Sequence, residues 1–122
     1  MTKTEKKLEQ AITRALTEVC EIAKLGAGEQ ALRGFEWITH FVQYHDFPNS
    51  LLIVIVFGSS EERLSALDAG KEQYVCRLID EKLKAENIHL KNVEKQVRFD
   101  SEESCDKQHA GNWQARYRQT RH

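Results

Sequence analysis

The apolar positions of this chain change period along its length, and each change marks an element. Leu8, Ile12, Ala15, Leu16, Val19, Ile22 and Ala23 recur at steps of three and four, while Lys7, Glu9, Arg14, Glu18 and Glu21 fall elsewhere on the wheel. That spacing predicts an amphipathic helix with one buried stripe. Thr2 and Glu5 have the capping-box spacing that would start it, and Gly26, Gly28 and Gly34 release or interrupt the segment. From Phe35 to Tyr44 the period falls to two: Phe35, Trp37, Thr39 and Phe41 share one face, Ile38, His40 and Val42 the other, which predicts a strand. "HDFPNS" brings Asp46, the single proline Pro48 and Asn49, turning the chain back into "LLIVIVF". An antiparallel hairpin is predicted, and the unbroken apolar run Leu51 to Phe57 places its second strand centrally, covered on both faces.

"GSSEE" repeats the helix-start signal, with Ser59 as cap and Glu62 three residues on. Leu64, Leu67, Val75, Leu78, Ile79 and Leu83 carry the next apolar stripe, Gly70 bends or divides it, and Asn87 closes it. Beyond, "IHL" and "KQVRF" alternate, with Ile88, Leu90, Val97 and Phe99 inward on either side of a turn at Asn92. Trp113, Ala115 and Tyr117 alternate with Gln114, Arg116 and Arg118, which predicts a last edge strand, a short helix being the other option. The whole order implies one α+β domain over residues 1–122: an N-terminal helix, a β-hairpin, a helix or helix pair, then one to three short strands. The sheet is expected to be mixed, with helices mainly on one face.

Charge and cysteine usage narrow the setting. Eighteen Lys and Arg residues stand against 19 Asp and Glu in 122 residues, so the whole chain carries no electrostatic footprint for nucleic acid or acidic lipid. Any such contact would be local. Cys20, Cys76 and Cys105 are widely spaced and outside any C-x-x-C, which argues against a disulfide framework or zinc ribbon and for a cytoplasmic setting. Cys20 and Cys76 lie near apolar stripes and read as core. "MTKTEKKLEQ" is charged where a signal peptide is apolar, and no apolar run approaches membrane-spanning length, so no membrane association is expected. "GAGEQ" lacks the preceding strand and following lysine of a phosphate loop. No cofactor is implied.

Three constellations carry chemistry. "RFDSEESCDKQHAGNW" gathers ligand-type residues, and Asp100, Glu102, Glu103 and His109, with Cys105 beside them, could hold a divalent cation and water. The plainer reading is a solvated acidic loop joining two strands, its charge offset by Arg98, Arg116 and Arg118. His40, His45 and Asp46 are the minimum of a general base and its orienting carboxylate, against the plainer reading of a groove histidine and a turn. The tail "WQARYRQTRH" has arginines and aromatics and no acid. Trp113, Arg116, Tyr117, Arg118 and Arg121 are therefore the candidate contacts for nucleic acid or another partner.

The segments "ALTEVCE", "WITHFVQYHDFPNSL", "VRFDSEESC" and "GNW" together resemble a family of short uncharacterised proteobacterial proteins, some of which bear the label Fis-family transcriptional regulator. The resemblance spans most of the chain and implies a DNA regulator. A Fis-type protein reads DNA with a C-terminal helix-turn-helix, whereas "HAGNWQARYRQTRH" reads as too little for two helices and a turn, so no Fis residue is carried over.

The expectation is thus a small cytoplasmic binding or interaction protein without catalysis, regulatory in role, touching nucleic acid through the arginine tail. Its partner would be a protein or nucleic acid, or a second copy paired through an edge strand. The alternative is a metal-dependent hydrolase or nuclease using the acidic loop 100–109.

Overall fold

A computed structural model describes residues 2–26 and 32–118 of the chain. Helix α1 (Lys3–Leu25) begins where the pattern places it, with the Thr2 side chain accepting the Glu5 amide and the Glu5 carboxylate accepting the Thr2 amide. Ala11, Ile12, Ala15, Leu16, Val19 and Ala23 form its buried stripe. Gly28, the second glycine assigned to its release, lies outside the described residues.

Strand β1 (Phe35–Phe41) and strand β2 (Leu52–Phe57) form the antiparallel hairpin, joined through a helical turn at Tyr44–Asp46 and a cis Phe47–Pro48 bond. Every residue of β2 is buried, as its unbroken apolar run requires of a central strand. The alternation along β1 needs one correction. Phe35 pairs with Phe57 and Trp37 with Val56, so Glu36 is an extra residue, a bulge that moves Phe35 to the face opposite Trp37. Phe35 packs edge-on to Phe57, their rings 6.5 Å apart.

Helices α2 (Ser60–Asp68) and α3 (Lys71–Ala85) follow, separated at Gly70, whose φ of 73° is left-handed. Ser59 and Glu62 complete the second capping box. Leu64, assigned to the apolar stripe, is instead 50% exposed. Asn87 takes φ 61° just past the end of α3, and the Ile88 amide reaches back to the Leu83 carbonyl at 2.9 Å. This closure buries Ile88 against Leu83, so Ile88 serves a helix end and not a strand.

A single turn of helix, α4 (Val93–Gln96), leads into β3 (Val97–Ser101), which lies parallel to β2 in a sheet of order β1-β2-β3. Gln96 is buried, and its side chain is fully used: its amide donates to the Pro48 and Leu51 carbonyls at 2.9 Å each, and its oxygen accepts the Asn92 amide. It ties the hairpin turn to the entry of β3.

The remainder corrects two expectations. Residues 102–109 are helix α5 (Glu102–His109), not a loop between strands, and the predicted edge strand at the C-terminus is helix α6 (Trp113–Arg118). Of the two short helices, only α6 lies within "HAGNWQARYRQTRH", α5 ending at its first residue.

The sheet thus has two covered faces. Ile53, Ile55 and Phe57 of β2 meet α1 and α3 in the main core, joined by Val97 and Phe99 of β3. Leu52, Val54 and Val56, with Phe41, meet Tyr117 and Trp113 of α6 on the other side. The long helices occupy one face, as expected, and α6 alone supplies a small second layer. Among the described residues, no helix is long and apolar enough to cross a membrane.

Candidate functional site

The acidic stretch resolves into a joint. Register pairs Asp100 with Val56, which turns its carboxylate toward the α6 face of the sheet. There Arg116 meets it with two bonds, Nε to Oδ2 at 2.5 Å and Nη2 to Oδ1 at 2.9 Å, and the Tyr117 hydroxyl donates to Oδ2. The Ser101 amide donates to Oδ1 as well. Burial alone would raise the Asp100 carboxyl, but Arg116, Tyr117 and the Ser101 amide together hold it below its ordinary value. The bond to Asp100 holds the Arg116 guanidinium above its ordinary value, while burial, with the Asp100 bond, pushes the Tyr117 phenol up.

The other carboxylates turn away. Glu102 accepts the Trp37 indole N–H at 2.7 Å, and Glu103 accepts the Ser60 amide at 2.9 Å, an anion on the positive end of α2. That amide, then the Ser60 side chain, lowers the Glu103 carboxyl. His109 Nδ1 faces Arg116 Nη1 at 3.3 Å. Asp100, Glu102, Glu103 and His109 therefore do not converge, and among the described residues no three His, Cys, Asp or Glu side chains gather as a ligand set. Cys105 is buried, and burial raises its thiol.

The helix here had a readable signal. "FDSEES" repeats the logic of "FGSSEE": a strand, a serine cap, then acidic residues in the first turn. Ser101 caps α5 through the Ser104 amide at 3.1 Å. The hydroxyls of Ser60, Ser101 and Ser104 then meet within 2.9–3.2 Å of one another, locking the two strand-to-helix turns together. Likewise Gly111, left-handed at φ 78°, ends one helix, and the Asn112 side chain caps the next by accepting the Ala115 amide.

The candidate contacts of the tail are mostly engaged inward. Trp113 packs edge-on to Trp37 at 5.1 Å, Tyr117 stacks on Phe41 at 5.3 Å, and Arg116 is held by Asp100. Arg118 is exposed, and Arg121 lies outside the described residues.

A second locus involves a residue that sequence reasoning missed. His40 does not meet His45 or Asp46, which are exposed in the turn. It donates instead from Nε2 to the Glu9 carboxylate on α1, which also accepts the Tyr44 hydroxyl at 3.1 Å. Burial, with the Glu9 bond, pushes the Tyr44 phenol up to about 12. Glu9 lies 31 residues from His40, so no local spacing announces the pair.

This pair stands at one end of a groove of about 540 Å³ between α1 and β1. Thr13, Leu16, Thr17, Cys20, Glu21 and Lys24 line the helix side, and four consecutive residues, Trp37 to His40, line the strand side. Consecutive strand residues point alternately up and down, so a wall containing all four is the strand's backbone edge. β1 is the outer strand of the sheet, and that edge is the one turned away from β2.

No family model, curated protein or solved structure matches the chain. The resemblance to the Fis-labelled family therefore rests on the quoted segments alone.

Proposed function

We propose that this chain is a cytoplasmic interaction protein that binds an extended segment of a partner by strand addition along β1. The observation that carries the reading is the groove edged by residues 37–40 of the outer strand. An outer strand presents alternating N–H and C=O groups to whatever lies beside it, and an incoming strand pairs with them while its alternate side chains enter flanking pockets. Sheets commonly guard such edges with lysine, proline or a covering element. β1 contains neither Lys, Arg nor Pro, and its one acidic residue, Glu36, sits in the bulge at its start. Thr13, Leu16, Thr17 and Ile38 suit small or apolar side chains at alternate positions of the partner, and Glu21 with Lys24, which also line the groove, suit a charged or polar one. The three cysteines, all free, fit a reducing compartment.

The test is selection from a displayed library of seven-residue peptides with apolar residues at alternate positions, followed by amide exchange mapped by NMR. Added protection of backbone amides within 36–41 is the expected result. Failure to select any peptide, or perturbation elsewhere with β1 unprotected, refutes the reading.

A further inference from the structure

We propose that α6 is an exchangeable arm, which docks on the sheet of a second copy of this chain by the same contacts it makes on its own. Three observations combine. First, α6 has six described residues, which hold a helix through the sheet face beneath them more than through their own backbone bonds. Its contacts there are Arg116 on Asp100 and Tyr117 with Trp113 on the aromatic face, and Arg116 also donates to the Ser104 carbonyl and to Gln108 Oε1 of α5. A second copy presents the same carboxylate, aromatic face and α5 groups.

Second, the link is short and conformationally costly. Ala110 sits at φ 50°, ψ 38°, the left-handed region that an alanine side chain disfavours, and Gly111 follows at φ 78°. Asn112 completes the turn, its amide reaching the His109 carbonyl at 2.9 Å. Short strained hinges of this kind favour exchange of the element they carry.

Third, the hinge has a ready alternative. Alanine is the strongest helix former, so relaxing Ala110 to Asn112 into helical geometry fuses α5 and α6 into one rod about 25 Å long. The local turn bonds are replaced by helical ones, and α6 is carried off its own sheet. Arg116 then pairs with Asp100 of the second copy, and the reverse exchange closes a two-fold dimer with nothing left uncovered.

Hinge variants give opposite outcomes while leaving every docking side chain intact. Ala110→Gly relieves the left-handed strain and weakens the helical alternative, so it favours the closed monomer. Gly111→Ala strains the closed turn, where an added Cβ would also lie 3.2 Å from an Asp106 oxygen, and favours the rod. Sedimentation velocity from micromolar to millimolar protein should show a dimer weakened about tenfold by Ala110→Gly and strengthened about tenfold by Gly111→Ala. The near-ultraviolet circular dichroism of the packed tryptophans should be the same in monomer and dimer, since each arm always lies on a sheet. Three monomeric proteins at every concentration, or a dimer of equal affinity in all three, overturns the proposal. So does a dimer that loses the tryptophan signal, because its sheet faces would be associating uncovered.

Discussion

Arg116 on α6 grips Asp100 at the end of β3 across sixteen residues, with Nε and Nη2 each on a different carboxylate oxygen. The pair is nearly enclosed, the two side chains being 15% and 7% exposed. It is the polar anchor of the second layer, and its removal has consequences that differ from those of a surface ion pair.

Asp100→Asn should destabilise the fold by about 3 kcal/mol, because it leaves the Arg116 charge in a poorly solvated place without its counter-ion. Equilibrium denaturant unfolding measures the loss. A change below about 1 kcal/mol would mean that the pair behaves as an exposed one.

The pH dependence has a definite sign. The Asp100 carboxyl is lower in the fold than its ordinary 3.8, so the unfolded chain binds that proton more readily. Its contribution is complete above the ordinary value and is lost as pH falls through the lower folded value. Tyr117 behaves inversely: its raised phenol contributes fully below the ordinary 10.0 and loses that contribution as pH rises through the folded value. Tryptophan fluorescence of Trp113 should therefore stay constant through mild acid and neutral pH and change toward both extremes. A transition near neutrality would contradict this assignment.

Gln96→Leu should cost about 2–3 kcal/mol, although it replaces a buried polar side chain with an apolar one of similar size. The carbonyls of Pro48 and Leu51 and the amide of Asn92 would each lose a bond in a place that water reaches poorly. Thermal unfolding of the variant decides the matter, and a neutral or stabilising effect would show that the bridge is replaceable.

The thiols should differ in reactivity. Cys20 is partly exposed in the groove, whereas burial pushes the Cys76 thiol up to about 11 and raises Cys105 too. At neutral pH iodoacetamide should label the accessible Cys20 first and Cys76 much more slowly, because burial both hides the Cys76 thiol and holds it protonated. Peptide mass spectrometry over time gives the order, and early labelling of Cys76 would count against its burial.

Much of the architecture was legible because it is local. The Thr2–Glu5 and Ser59–Glu62 boxes start helices through bonds three residues apart, and the all-apolar run at 51–57 admits little but a central strand. The C-terminal segment stayed open between edge strand and short helix for an equally physical reason. Trp113, Ala115 and Tyr117 satisfy the period of two, while Trp113, Arg116 and Tyr117 satisfy the helical steps of three and four, so six residues leave the period ambiguous. The acidic stretch was ambiguous in another way, since carboxylates that ligate a cation and carboxylates that cap helices share a composition.

What the sequence determined by itself was the order of elements from α1 to α3, the caps at Thr2 and Ser59 and most of the apolar faces that must be buried, all set by neighbours within a turn. What only the tertiary structure decided was which distant groups meet: Glu9 with His40, Asp100 with Arg116, Glu103 with the Ser60 amide. Those partners are fixed by sheet register and by the Glu36 bulge, and no spacing along the chain encodes them. The edge position of β1 belongs with them, because a strand is outer only by virtue of where the others pair.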